Sequence, residues 1–211
     1  MTRVEEEAVR FDVDGLTLEG RLALPPAPQR AVVLCHPHPQ YGGTMDNNVI
    51  LALADRLVDA GAATLRFNFR GVGASEGRYG GGKGEANDAK AAVACLRQRL
   101  AAAEITLVGY SFGAIVALLA GHDDDVARLV AVAPPVTMFD TTFLNGCTKP
   151  KLFVIGERDQ YCPIAALQER MADFTGPKRL VRVEHADHFF FGHEQEVARA
   201  AVDFIGGNHT A

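Results

Sequence analysis

Three side chains in this chain of 211 residues are of the types that nucleophilic acyl chemistry needs: Ser111, Asp159 and His188. Gly109-Tyr110-Ser111-Phe112-Gly113 reads G-x-S-x-G. Before it stands Ile105-Thr106-Leu107-Val108, β-branched and apolar as a buried strand is. After it runs Phe112 to Ala120, almost unbroken in apolar character as a buried helix is. A serine on the sharp turn between such elements is driven into a strained backbone conformation that stands its hydroxyl clear of the sheet. The two glycines let strand and helix pass closely. The amides of the helix point back at the same spot and stabilise negative charge that develops there.

A serine hydroxyl is a poor nucleophile until a neighbouring imidazole takes its proton. Histidine suits that task because it titrates near neutrality. A carboxylate then fixes the imidazole tautomer and stabilises the imidazolium that forms. Two downstream loops offer these groups. Gly156-Glu157-Arg158-Asp159-Gln160 follows an apolar strand at 151–155, and His185-Ala186-Asp187-His188-Phe189 follows another at 180–183. The order Ser, acid, His is the one expected of a strand-turn-helix nucleophile. Asp187 is a rival acid, but side chains adjacent in sequence diverge, so Asp159 is preferred. Glu157 sits at the strand end. His185 is a rival base, yet His188 leads into Phe189-Phe190-Phe191, which can pack a ring in place. His36 reads as a structural, hydrogen-bonded ring, and His122, His193 and His209 as surface residues.

The elements that must position these groups are legible in the pattern. Val9 to Val13 and the alternating Leu16, Leu18, Leu22 and Leu24 form a hairpin across Asp14-Gly15. Short apolar strands follow at 31–35, 63–67, 105–108, 129–132, 151–155 and 180–183. Helices are expected around Val49, Leu53 and Leu57, closed by Gly61, and at 85–100, 112–120, 164–174 and 194–204. A hairpin followed by alternating strands and helices predicts an α/β fold: a mostly parallel sheet of about seven or eight strands with helices on both faces. Catalytic residues in such sheets sit on loops at the carboxyl ends of strands. With no linker or internal repeat, residues 1–211 are expected to form one domain. The short connection from Val132 to Lys151 leaves no room for an inserted cap.

These residues, with Cys35-His36-Pro37-His38-Pro39-Gln40-Tyr41-Gly42-Gly43-Thr44-Met45-Asp46-Asn47 and Arg66-Phe67-Asn68-Phe69-Arg70-Gly71-Val72-Gly73-Ala74-Ser75-Glu76-Gly77, resemble the α/β-hydrolase superfamily from about Val9 to Ile205. Within it the chain is similar to small, lidless bacterial hydrolases near the dienelactone hydrolases. Those enzymes carry a cysteine where this chain has Ser111, so the resemblance implies ordinary ester hydrolysis rather than dienelactone specificity. Thioester or peptide cleavage on the same groups, or a catalytically inactive ligand-binding module, are the alternatives. The resemblance also implies that the base precedes an aromatic residue, as His188 does. It implies an oxyanion hole built from two backbone amides. One is that of Phe112. The other comes from the loop after strand 31–35, where Pro37 and Pro39 have no N–H. His38 matches the donor of relatives with a His-Gly-x loop, with Gln40 or Tyr41 as fallback. His36 would brace that loop. Arg70 and Ser75 belong to a glycine-punctuated loop and read as turn residues. Met138, Phe139, Phe143 and Leu144 line either an acyl pocket or the core.

Composition sets the remaining bounds. A hydrophobic fraction of 48% and a charged fraction of 22% are ordinary for a globular protein, and a net charge of −5 argues against a nucleic-acid partner. Met1-Thr2-Arg3-Val4-Glu5-Glu6-Glu7 opens acidic rather than apolar, so a signal peptide is not expected, and nothing in the chain reads as a membrane span. The default compartment is the cytoplasm, where Cys35, Cys95, Cys147 and Cys162 stay reduced and pack as small hydrophobes. Asn208-His209-Thr210 is a glycosylation sequon that matters only on secretion. Three motifs fail. Gly77-x-x-x-x-Gly82-Lys83 has Gly84 where a phosphate loop needs Ser or Thr, and Gly71-x-Gly73 has Glu76 where a dinucleotide fingerprint needs glycine. The pairs His36/His38 and His185/His188 lack the further ligands of a catalytic metal site. The expectation is therefore a cofactor-free and metal-free enzyme acting on a small-molecule ester or thioester, as a monomer or homodimer.

Overall fold

The computed structural model describes residues 4–122 and 125–207. The sequon at 208–210, with His209, and the opening residues 1–3 lie outside them. Asp14 and Gly15 both take positive φ, 53° and 77°, as a two-residue hairpin turn requires. Strand β1 (Glu6–Val13) thereby folds back on β2 (Leu16–Ala23), with Val13 opposite Leu16. The chain then alternates: β3 (Arg30–Cys35), α1 (Asn48–Asp59), β4 (Ala63–Phe67), α2 (Lys83–Arg99), β5 (Glu104–Tyr110), α3 (Phe112–Ala120), β6 (Val126–Val132), β7 (Lys151–Gly156), α4 (Ile164–Asp173), β8 (Lys178–Val183) and α5 (Glu194–Ile205). The eight strands form one sheet in the order β1-β2-β4-β3-β5-β6-β7-β8. Only β1 and β2 run antiparallel to their neighbours. Strand order reverses at β3, the place where such sheets open a crevice at their carboxyl edge.

Successive strand residues face opposite cores. Ala31, Val33, Leu107, Ala131, Phe153 and Ile155 point to a layer made with α2, α3 and α4. Val32, Leu34, Val108, Val130, Leu152 and Val154 point to a layer made with α1 and α5, where Leu53 and Leu57 meet Val197, Ala201 and Phe204. The central strands are buried on both sides, so they read as apolar runs rather than alternating ones. Gly61 takes φ 82° just past α1, the left-handed residue expected after a helix end.

The edge strands run longer than their apolar pattern. β1 begins at Glu6 rather than Val9, and β8 at Lys178 rather than Leu180, in each case through exposed residues. Backbone pairing needs no apolar side chain, and charged residues on an edge discourage pairing with another chain. Two short 3₁₀ helices, Pro39–Tyr41 and Thr142–Gly146, were not anticipated by the pattern. The second lies in the connection between β6 and β7, which carries no inserted domain.

Candidate active site

Ser111 links β5 to α3 with φ 56° and ψ −121°, a strained conformation for a residue with a Cβ. The turn is held by the Ser111 amide, which donates to the Val132 carbonyl at 2.8 Å. A Cβ added to Gly109 would overlap the Gly113 carbonyl, and one added to Gly113 would overlap the carbonyls of Cys35 and His36. The two glycines are thus fixed by close packing of β5, α3 and the end of β3. The first amides of α3, Phe112 among them, have no acceptor within their own helix and lie beside the serine.

The Ser111 hydroxyl lies 3.0 Å from His188 Nε2. On the other side of the ring, His188 Nδ1 lies 2.9 Å from Asp159 Oδ2. The second oxygen of Asp159 accepts the amides of Tyr161 and Cys162, each at 2.8 Å. Its carboxylate is fully covered. The two amide donors hold one oxygen of the carboxylate in place and leave the other turned toward the imidazole. With Nδ1 donating to Asp159, Nε2 faces the serine as an acceptor.

The loops that carry acid and base are laced together. The Glu157 amide donates to Val183 O at 3.0 Å and the Arg158 amide to Ala186 O at 2.9 Å. A Cβ on Gly156 would press into the carbonyls of Ala186 and Asp187, so this approach also needs glycine. The rival residues are engaged elsewhere. Asp187 Oδ1 accepts the Phe189 amide, and Glu157 accepts the His185 amide at the exposed edge. His185 is paired with Glu157 and Arg158, away from the serine.

The turn after β3 packs against the start of α3, at the residue that follows the serine. The His38 ring packs against Phe112, with centroids 4.7 Å apart, and against Tyr41 and Tyr79. The Gln40 amide donates to His38 Nδ1 at 3.2 Å, and the Tyr41 amide to His38 O at 3.1 Å. Both fallback oxyanion donors are therefore committed within the turn itself. His36 sits beneath, fully buried. Its Nδ1 donates to Pro37 O at 2.7 Å and its Nε2 accepts the Phe69 amide at 3.1 Å. Burial lowers its pKa to about 4, so the ring is neutral and joins the β3 and β4 loops.

Arg70 pairs with the buried Asp88 and with Asp14, and Ser75 donates to Asn68 O; both are structural. Glu85 fills the space that the failed phosphate motif suggested: its carboxylate accepts the Gly80 and Gly82 amides, each at 2.7 Å. Cys35, Cys147 and Cys162 are buried and Cys95 is half-buried, all unbridged; burial pushes the Cys162 thiol up to about 12. Leu144 is core, Phe139 touches Phe112, Phe143 lies by His122, and Met138 is exposed. His122 is exposed, as expected. His193 lies partly exposed at the start of α5, 2.9 Å from Glu196. Among the described residues, no group of three His, Cys, Asp or Glu is arranged to hold a metal ion, and no helix is long and apolar enough to cross a membrane.

One contributor went unseen in the sequence. The Tyr110 hydroxyl donates to the His188 carbonyl at 2.8 Å, with the two rings 5.7 Å apart. The signal was present: a tyrosine at the end of a buried strand, beside the nucleophile, needs a partner for its hydroxyl.

The fold agrees with comparison against known proteins. Residues 30–147 match the alpha/beta hydrolase fold family, and the chain belongs to it. An alpha-beta serine hydrolase homologue from Coxiella burnetii is 34% identical, with a TM-score of 0.87 over 97% of each chain. A serine hydrolase without a lid from Xanthomonas campestris is 28% identical, with a TM-score of 0.87 over 97% of this chain and 94% of that one. An uncharacterised protein from Rickettsia prowazekii is 33% identical over 199 residues, 89% of this chain and 84% of its own length.

Proposed function

We propose that this protein is a serine hydrolase that cleaves carboxylic esters of small substrates through an acyl-enzyme. The observation that carries the reading is the continuous line from Ser111 Oγ through His188 to Asp159, with contacts of 3.0 Å and 2.9 Å. As Ser111 Oγ bonds to the ester carbonyl carbon, its proton passes to His188 Nε2. Asp159 stabilises the resulting imidazolium. The carbonyl oxygen, now an anion, is held by the amides of Phe112 and His38. His38 is favoured over Gln40 and Tyr41 because those two amides are already bonded inside the turn.

Collapse of the intermediate breaks the carbon–alkoxide bond, and His188 returns its proton to the departing alcohol. Water then attacks the acyl carbon. His188 takes a proton from that water and gives one to Ser111 Oγ as the acid leaves. The described relatives at 34% and 28% identity are called serine hydrolases, which supports the reading. So does the absence of an inserted domain between β6 and β7, which suits an open cleft and compact substrates.

The test is hydrolysis of short-chain p-nitrophenyl esters together with labelling by a fluorophosphonate. Wild type is expected to do both, and Ser111→Ala neither. Asp159→Asn is expected to fold normally and lose about 10⁴ in kcat, the order seen when a triad histidine loses its carboxylate. Ester turnover that survives Ser111→Ala overturns the assignment. A wild type that never labels or turns over points instead to an inactive binding module.

A further inference from the structure

Large apolar side chains that stay exposed are unevenly placed on this molecule. Among the described residues they are Leu24, Tyr41, Met138, Tyr161, Phe189 and Phe191. Leu24 alone lies away from the carboxyl edge of the sheet. The other five follow β3, β6, β7 and β8, the loops that surround Ser111.

Two of the five touch the proposed base. The Tyr161 ring meets His188 edge-on, with centroids 4.9 Å apart, and Phe189 meets it at 5.7 Å and 88°. Tyr161 and Phe189 adjoin each other at 6.4 Å, and Phe191 stacks on Phe189 at 6.1 Å and 22°. Phe191 is 72% exposed. Between them Phe190 is fully buried and takes φ 54°, a left-handed conformation that is strained for a bulky residue. It is held there by packing near Tyr110 and by the His193 amide, which donates to its carbonyl. The strained residue turns one phenylalanine into the core and leaves its two neighbours stacked outside, a continuous aromatic surface in water.

The chemistry of the site says which part of a substrate meets that surface. In the serine-hydrolase reading, on which this inference rests, His188 Nε2 hands its proton to the departing oxygen. The alcohol portion of the ester must therefore leave past the His188 ring. The rings exposed beside it are Tyr161 and Phe189, with Phe191 extending them outward. We propose that Tyr161, Phe189 and Phe191 form a leaving-group shelf, and that the enzyme favours esters of flat apolar alcohols, phenols above all, over esters of small aliphatic ones. A flat ring gains offset or edge-on contact with such a shelf, and a methyl group does not.

The experiment compares phenyl acetate with methyl acetate. Both give the same acetyl-enzyme, and kcat/KM ends with acylation, so deacylation does not enter the ratio. Damage to His188 would raise the ratio rather than lower it, because methoxide needs the proton from His188 more than phenoxide does. Relative to wild type, the phenyl-to-methyl ratio is expected to fall about tenfold in Tyr161→Ala and in Phe189→Ala, the order of one lost aromatic contact. In Phe191→Ala it is expected to fall about threefold. A ratio that stays at the wild-type value in all three variants overturns the shelf, and so does an effect that follows the acid portion, read from methyl benzoate against methyl acetate. Loss of a dimer in Phe191→Ala with an unmoved ratio would make the surface an interface and overturn it as well. These results differ from failure of the parent reading, which shows as no turnover of either ester by wild type or as turnover retained by Ser111→Ala.

Discussion

Tyr110 and His188, far apart in sequence, are joined by a hydrogen bond from the Tyr110 hydroxyl to the His188 carbonyl at 2.8 Å. Tyr110 is the residue immediately before the nucleophile. One strand end thus holds His188 twice: Ser111 meets its ring and Tyr110 its backbone. Burial of Tyr110, and after it the carboxylates of Asp159 and Asp187, hold its phenol well above the usual range, so it stays protonated and remains a donor.

Removing that hydroxyl should separate positioning from binding. Tyr110→Phe keeps the ring in place but leaves the buried His188 carbonyl without its partner, a loss of about 1–3 kcal/mol in stability. The expected kinetic signature is a fall in kcat of about tenfold with KM little changed, because Tyr110 is buried and offers a substrate almost no surface. Urea unfolding and steady-state kinetics on one short-chain ester check both parts. An unchanged kcat would mean that the loop holds His188 without help.

The closeness of β5, α3 and the end of β3 yields a second prediction. An added methyl at Gly113 would overlap the carbonyl oxygens of Cys35 and His36, both backbone atoms that cannot swing aside. Gly113→Ala should therefore cost more than about 4 kcal/mol or fail to fold, the range reserved for disrupted packing. Gly146→Ala is the matched control. It meets nothing within 4 Å and needs no positive φ, so its effect should stay near 0.5 kcal/mol. Comparable losses at the two positions would contradict the packing account.

Those two glycines also mark what the sequence could reveal. Ser111, Asp159 and His188 were legible because each residue type sits just after an apolar run, and parallel strands deliver such positions to a shared edge. The role of Tyr110 was not legible. Its partner is a carbonyl on a distant loop, and no side-chain pattern reports where a backbone oxygen goes. Arg66 is another case. It reads as one charge in an apolar strand, yet it is buried between Glu6 on β1 and Asp46 after β3, an arrangement set by strand order alone. The edge strands outrun their apolar pattern for the reverse reason: Glu6 to Ala8 and Lys178 to Arg179 pair through backbone while their side chains stay in water.

His36 supplies the third prediction, one of pH. In the unfolded chain histidine titrates near 6.5, and in the fold burial lowers His36 to about 4. The neutral ring is needed, because Nε2 accepts the Phe69 amide while Nδ1 donates to Pro37 O. A proton on Nε2 would set a donor against a donor. Below the unfolded value the unfolded chain binds the extra proton, so stability falls as pH drops from about 6.5 to about 4, and His36 contributes no further slope outside that window. The shift corresponds to about 3 kcal/mol lost between pH 7 and pH 4. Carboxylates titrate over part of the same range, so the measurement is the difference between wild type and His36→Gln in urea unfolding at each pH. Wild type should start more stable at pH 7 and lose about 3 kcal/mol more than the variant by pH 4. Parallel curves would show that His36 binds its proton in the folded protein as readily as in the unfolded one.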